Sequence, residues 1–132
     1  MLIGPMAHQM TNSDGSPTIA IAGEVTVYTK SFKISWAEFF GLAYQAASTG
    51  SPNLKIELEQ GYAEPGTEGS SDDDWVTPTG VSAIESALTA KTRKMKNLSP
   101  IPMPYIRFKI TGLTGNPADV TLDLRLGVLE NY

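Results

Sequence analysis

Val120, Leu122, Leu124, Leu126 and Val128 form an unbroken apolar stripe at every second position, with Thr121, Asp123, Arg125 and Gly127 between them. A period of two is the repeat of a β-strand, whose side chains alternate between faces, whereas a helix would scatter these five residues around its circumference. One strand cannot bury such a stripe by itself, so the chain must supply an opposing apolar face. It does so repeatedly. Ile19 and Ile21, Val25 and Val27 after Gly23, and Phe32 and Ile34 alternate early. Leu54, Ile56 and Leu58 follow, and Ile106, Phe108 and Ile110 alternate with Tyr105, Arg107 and Lys109.

The punctuation between these runs is turn chemistry. EFFGLAYQAA (Glu38 to Ala47) leads through STGSPN into LKIELEQGY, and YIRFKITG leads through GLTGNPAD into the final stripe. Each pair predicts a β-hairpin. Pro100, Pro102 and Pro104 alternate in SPIPMP, which predicts an extended edge segment. Residues 81–96 fit both periods and are read as one short helix. Residues 63–74, AEPGTEGSSDDD, read as a solvated loop closed by Trp75.

The expected fold is all-β: an antiparallel two-sheet β-sandwich or jelly roll with at most one short helix. At 132 residues, 41% apolar, the chain suits one domain of 18–132. Residues 1–17 carry Leu2, Ile3 and Met6 without period and read as an N-terminal arm that orders only against a neighbour.

Composition and motifs exclude several functions. With no cysteine there is no disulfide, thiolate nucleophile or cysteine-based metal site. A net charge of -4 opposes broad binding to nucleic acid or anionic membrane, and no run of about 18 apolar residues exists. Residues 1–17 also lack the regions of a signal peptide. His8 is the only histidine and falls in the arm; Glu57 and Glu59 read as solvent-face strand residues; no phosphate-binding, dinucleotide or zinc-protease motif occurs. The expectation is no enzyme, no cofactor and no small-molecule substrate.

Three features remain as candidates. Glu64, Glu68, Asp72, Asp73 and Asp74 offer hard oxygen ligands for Ca²⁺, although their spacing matches no EF-hand and a solvated loop is expected. Lys91, Arg93, Lys94 and Lys96 form a basic cluster suited to a charge-complementary protein contact, as do Asp72, Asp73 and Asp74 on the opposite sign. Trp36, Trp75, Tyr44, Tyr62 and Tyr105 could stack on sugars, but the expectation is burial, with Trp75 capping the core and Trp36 anchoring the first hairpin.

FKISWAEFFGLAYQAASTGSPNLKIELEQ, the loop ending DDDWVTP, and LSPIPMPYIRFKITGLTGNPADVTLDLRL follow one another in a layout that resembles small β-sandwich structural proteins of tailed-bacteriophage virions. The resemblance covers about residues 19–130. It implies a head-decoration, tail or neck component, made in the host cytoplasm and carried in the virion, whose partners are copies of itself and a capsid or other virion protein. Leu2, Ile3, Met6 and the two charge clusters are then the interface candidates. A carbohydrate-binding β-sandwich module is the alternative, and a metal-assisted hydrolase the third reading.

Overall fold

A computed structural model describes residues 2–33, 37–62, 75–77, 82–98 and 103–131, with 2–6, 37–40 and 129–131 as backbone. Its elements are β1 (Leu2–Gln9), β2 (Ile19–Ile21), β3 (Thr26–Tyr28), β4 (Phe32–Lys33), β5 (Ala37–Ala47), β6 (Leu54–Gly61), β7 (Glu85–Leu88), β8 (Lys94–Leu98), β9 (Tyr105–Gly112) and β10 (Val120–Asn131). All pairings are antiparallel, in two sheets ordered β1-β10-β5-β8, with β2 also on β10, and β3-β9-β6-β7, with β4 also on β9.

The split strands simplify this picture. β1 covers Arg125 to Asn131 of β10 and β2 covers Val120 to Leu122, so the two are halves of one edge. β3 and β4 likewise share the edge of β9. Counting each divided edge once reduces ten strands to eight, in orders first-eighth-third-sixth and second-seventh-fourth-fifth. That is a jelly roll, the second of the two expected forms. Its core lies between the sheets, where Ile19, Ile21, Leu42, Leu122, Leu124 and Leu126 of one sheet face Leu54, Ile56, Ile106, Phe108 and Ile110 of the other. The apolar stripe of β10 is thus buried along its length.

Three expectations need correction. Neither expected hairpin is one: β5 and β6 lie in different sheets, and so do β9 and β10. The connections 48–53 and 113–119 are arches across the thickness of the sandwich, so consecutive strands stack face to face rather than pair side by side. The two arches are tied together. Thr49 donates to Asp119 from its amide (2.9 Å) and its hydroxyl (2.7 Å), the Asn53 amide donates to Asn116 Oδ1 (2.9 Å), and Asn116 Nδ2 donates to Ile21 O (3.1 Å) and Gly23 O (2.8 Å).

Residues 81–96 contain no helix among those described; they hold β7 and the start of β8. The open edges of β6 and β5 offer backbone partners there, and this overrides an ambiguous local preference. The expected arm is the third correction. Residues 2–9 are strand β1 of the chain's own sheet, Met10 donates from its amide to Leu124 O (2.8 Å), and its side chain is buried in the core.

Candidate functional site

The outward face of the second sheet carries the densest chemistry. Alternation sends Ile106, Phe108 and Ile110 inward and leaves Arg107 on the opposite face, yet Arg107 is only 1% exposed. Its neighbours explain this. Glu59 is its direct cross-strand partner on β6 and accepts from Nε at 2.8 Å. Tyr28 on β3 lies on one side of the guanidinium, with the ring centroid 4.1 Å from Cζ, and Trp75 lies 4.6 Å from it. Trp75 is positioned by a two-way backbone bridge between Val76 and Gln60 (2.9 and 3.0 Å). A planar, weakly hydrated guanidinium is the cation suited to such stacking between rings.

Around this cluster the face is a checkerboard of charge. Glu57 stands opposite Lys109 and 3.7 Å from Lys55, and Lys33 Nζ lies 5.8 Å above the Tyr105 ring. Arg107 Nη1 and Trp75 Nε1 are buried donors with no acceptor among the described residues. Glu59 is therefore a buried partner of Arg107 rather than a solvent-face residue. Trp75 is buried as expected, but against Arg107 and outside the core cluster, so it does not cap the core. No local pattern announced Arg107. The available signal was a Glu and an Arg on the same face of two neighbouring strands, which becomes informative only once the register is known.

The basic cluster sits elsewhere, with Lys91 and Arg93 in the β7–β8 connection and Lys94 and Lys96 on β8. Lys94 Nζ lies 3.5 Å from Glu85, which also accepts from the Tyr44 hydroxyl; Lys96 Nζ donates to Ile84 O (2.6 Å); Lys91 Nζ donates to Ser48 O (3.2 Å). Arg93 donates to Gln45 (3.3 Å) and lies 3.9 Å from Asp123. These cations close the edge between the two sheets, and their acidic partners are Glu85 and Asp123. Burial, and then the bond to Glu85, raise the Tyr44 hydroxyl pKa well above the ordinary tyrosine value.

Glu64, Glu68, Asp72, Asp73, Asp74 and Trp36 lie outside the described residues. Leu2, Ile3 and Met6 lie on β1 against β10. Among the described residues no three carboxylate or histidine groups cluster as a metal site, and no helix is long and apolar enough to cross a membrane.

The outward face of the first sheet is different in kind. Ala7, Gly127, Gly41 and Asn97 stand side by side across its four strands, and Gln9, Arg125, Ala43 and Met95 form the next row. Ala7, Gly127 and Gly41 make a short run of small residues, and in the next row Met95 is 80% exposed.

No protein-family model matches the chain, and no curated protein does. Solved structures of similar outline include a family 36 carbohydrate-binding module in complex with calcium and xylotriose: 12% identity, 98% of this chain, 92% of that one, TM-score 0.36. A carbohydrate-binding module of Cellvibrio mixtus lichenase 5A with cellotriose is 15% identical over 100% of this chain and 90% of its own, TM-score 0.35. The catalytic domain of a GH87 α-1,3-glucanase is 11% identical over 98% of this chain but only 28% of its own, TM-score 0.38. Likeness at this level supplies no argument about the chain's role.

Proposed function

We propose that this jelly roll is a non-catalytic assembly module that works through protein–protein contacts, in the finer reading as a virion structural component. The observation that carries the proposal is the contrast between its two outward faces. On the second sheet, Arg107, Glu59, Tyr28 and Trp75 are spent on one another. The first sheet carries the small residues Ala7, Gly127 and Gly41 side by side, with Met95 in the next row exposed at 80%. Sheet faces pack on other sheets at about 10 Å separation, and an exposed methionine adapts to an irregular partner surface. The test is native mass spectrometry over a concentration series on the wild type and on Met95→Glu with Ala43→Arg. Oligomers lost in that variant support the reading, and a wild type that stays monomeric at millimolar concentration removes it.

A second reading, a carbohydrate-binding module, is favoured by Tyr62. It is 73% exposed and follows Gly61, the cross-strand partner of Tyr105, so two tyrosines share one end of the second sheet. A glycan array decides it. A specific hit abolished by Tyr62→Ala in a folded protein puts this reading first.

A further inference from the structure

At the β1 edge the jelly roll is closed by a strand that only one neighbour holds. Among the described residues β1 pairs its backbone with β10 alone, and beyond residue 10 the chain leaves the sheet before returning as β2. Beside β1, on the strand it pairs with, are the core residues Leu124, Leu126 and Val128, so this edge of β10 cannot stand empty in water. The outer side of β1 is interrupted for further pairing at residue 5. Met10 donates to Leu124 O, which marks the pairs whose residue numbers are even in this register as hydrogen-bonded and the odd ones as not. Position 5, opposite Leu129, is odd, so its amide would point away from β10, and residue 5 is a proline with no N–H. An edge proline on that side disfavours the addition of another strand.

A neighbouring copy that pairs with β10 on this side must replace β1, which already occupies it. The chain permits that exchange. Residues 2–12 form a unit: β1 on β10, the His8 ring on Phe32 (4.9 Å), Asn12 bridged to Thr29, and the Lys30 amide on Thr11 O (2.9 Å). The segment that follows, Ser13 to Ser16, is an exposed or half-exposed turn held by Gly15 N to Asn12 O (2.8 Å) and Asn12 N to Ser16 O (3.0 Å), with Gly15 at φ 88. Opening this turn lets the unit leave its own seat, and an identical seat on a second copy restores each contact it makes beyond the turn. Extended, four residues reach about 13 Å.

We infer that β1 is exchanged between two copies of this chain, the unit 2–12 of each lying on β10 of the other. The inference rests on the assembly reading and names the element that performs it. Strand exchange of this kind reaches a dimer with no new type of interface.

The experiment uses the absence of cysteine from the full chain. Ala7 and Gly127 are non-hydrogen-bonded partners with outward-facing side positions, at a Cα separation of about 4.5 Å that a disulfide can bridge. Ala7→Cys with Gly127→Cys is oxidised across a concentration series and run on non-reducing gels; Gln9→Cys with Arg125→Cys, the next such pair, is the second variant should the first not fold. A covalent dimer whose share rises at least tenfold between micromolar and millimolar protein is the expected result. Cross-linked monomer alone at every concentration overturns the exchange. Native mass spectrometry on the wild type separates the two ideas: oligomers alongside purely intrachain disulfides leave the assembly reading standing and remove only the exchange.

Discussion

Replacing Arg107 tests whether the buried pair on the second sheet is a structural anchor. Arg107→Met keeps much of the aliphatic length but deletes the guanidinium. The charge-assisted bond to Glu59 at 2.8 Å is lost, and such bonds contribute about 1.5–3 kcal/mol. The stacking on Tyr28 and Trp75 is lost as well, at about 0.5–2 kcal/mol per ring. Glu59, 8% exposed, is left as a buried carboxylate without its cation. Breaking a buried pair from one side costs about 3–5 kcal/mol, whereas replacing both partners by apolar or neutral groups is often near neutral. The expected single-variant cost is therefore about 4 kcal/mol, and Glu59→Gln added to Arg107→Met recovers at least about 1.5 kcal/mol of it. Urea unfolding followed by far-ultraviolet circular dichroism on the wild type, both single variants and the double variant gives the cycle. A coupling below about 0.5 kcal/mol refutes the reasoning, because the pair would then be two independent surface-like groups.

Four further outcomes follow from the geometry. Trp75→Phe removes a buried N–H that has no acceptor among the described residues, so its loss of stability should stay under about 1 kcal/mol despite the smaller ring, as read by the same unfolding curves. Gly112→Ala places a Cβ 1.9 Å from Gly23 O and 2.9 Å from Asn116 Nδ2, so it should cost more than about 3 kcal/mol or prevent soluble expression. Tyr44 is raised by burial and by Glu85, so its contribution is complete below about pH 10 and is lost as pH rises beyond that; Tyr44→Phe should flatten the alkaline limb of a melting-temperature profile. Asp119 is held below the usual carboxylate range by the Thr49 hydroxyl and then its amide, so the tie between the arches is present above that range and lost on acidification; amide exchange at Thr49 should speed up as pH falls through the Asp119 value once the intrinsic pH dependence is removed.

The alternation of apolar residues was enough to determine most of this molecule's strands and the inward face of the longer ones. Leu54, Ile56, Ile106, Phe108, Ile110, Val120, Leu122, Leu124, Leu126 and Val128 are core residues because period two leaves a strand no other way to bury them. Which strands would be neighbours was not legible. STGSPN and GLTGNPAD are turn-forming whether the next strand pairs beside the last one or crosses above it; the crossing appears only in the pairing of each strand with distant partners, and the Asn116 and Asp119 bonds tie the resulting arches. The same limit applies at the N-terminus. Leu2 to Gln9 show no period, and they form a strand because β10 presents an unpaired edge that needs backbone partners. Arg107 shows it most sharply: an arginine in a polar strand position looks solvent-exposed until β3, β6 and residues 75–76, far apart in the chain, bring Tyr28, Glu59 and Trp75 around it. Periodicity is a property of one segment and can be read along it, whereas register and sheet membership depend on free-energy differences between distant segments, which no single stretch of sequence contains.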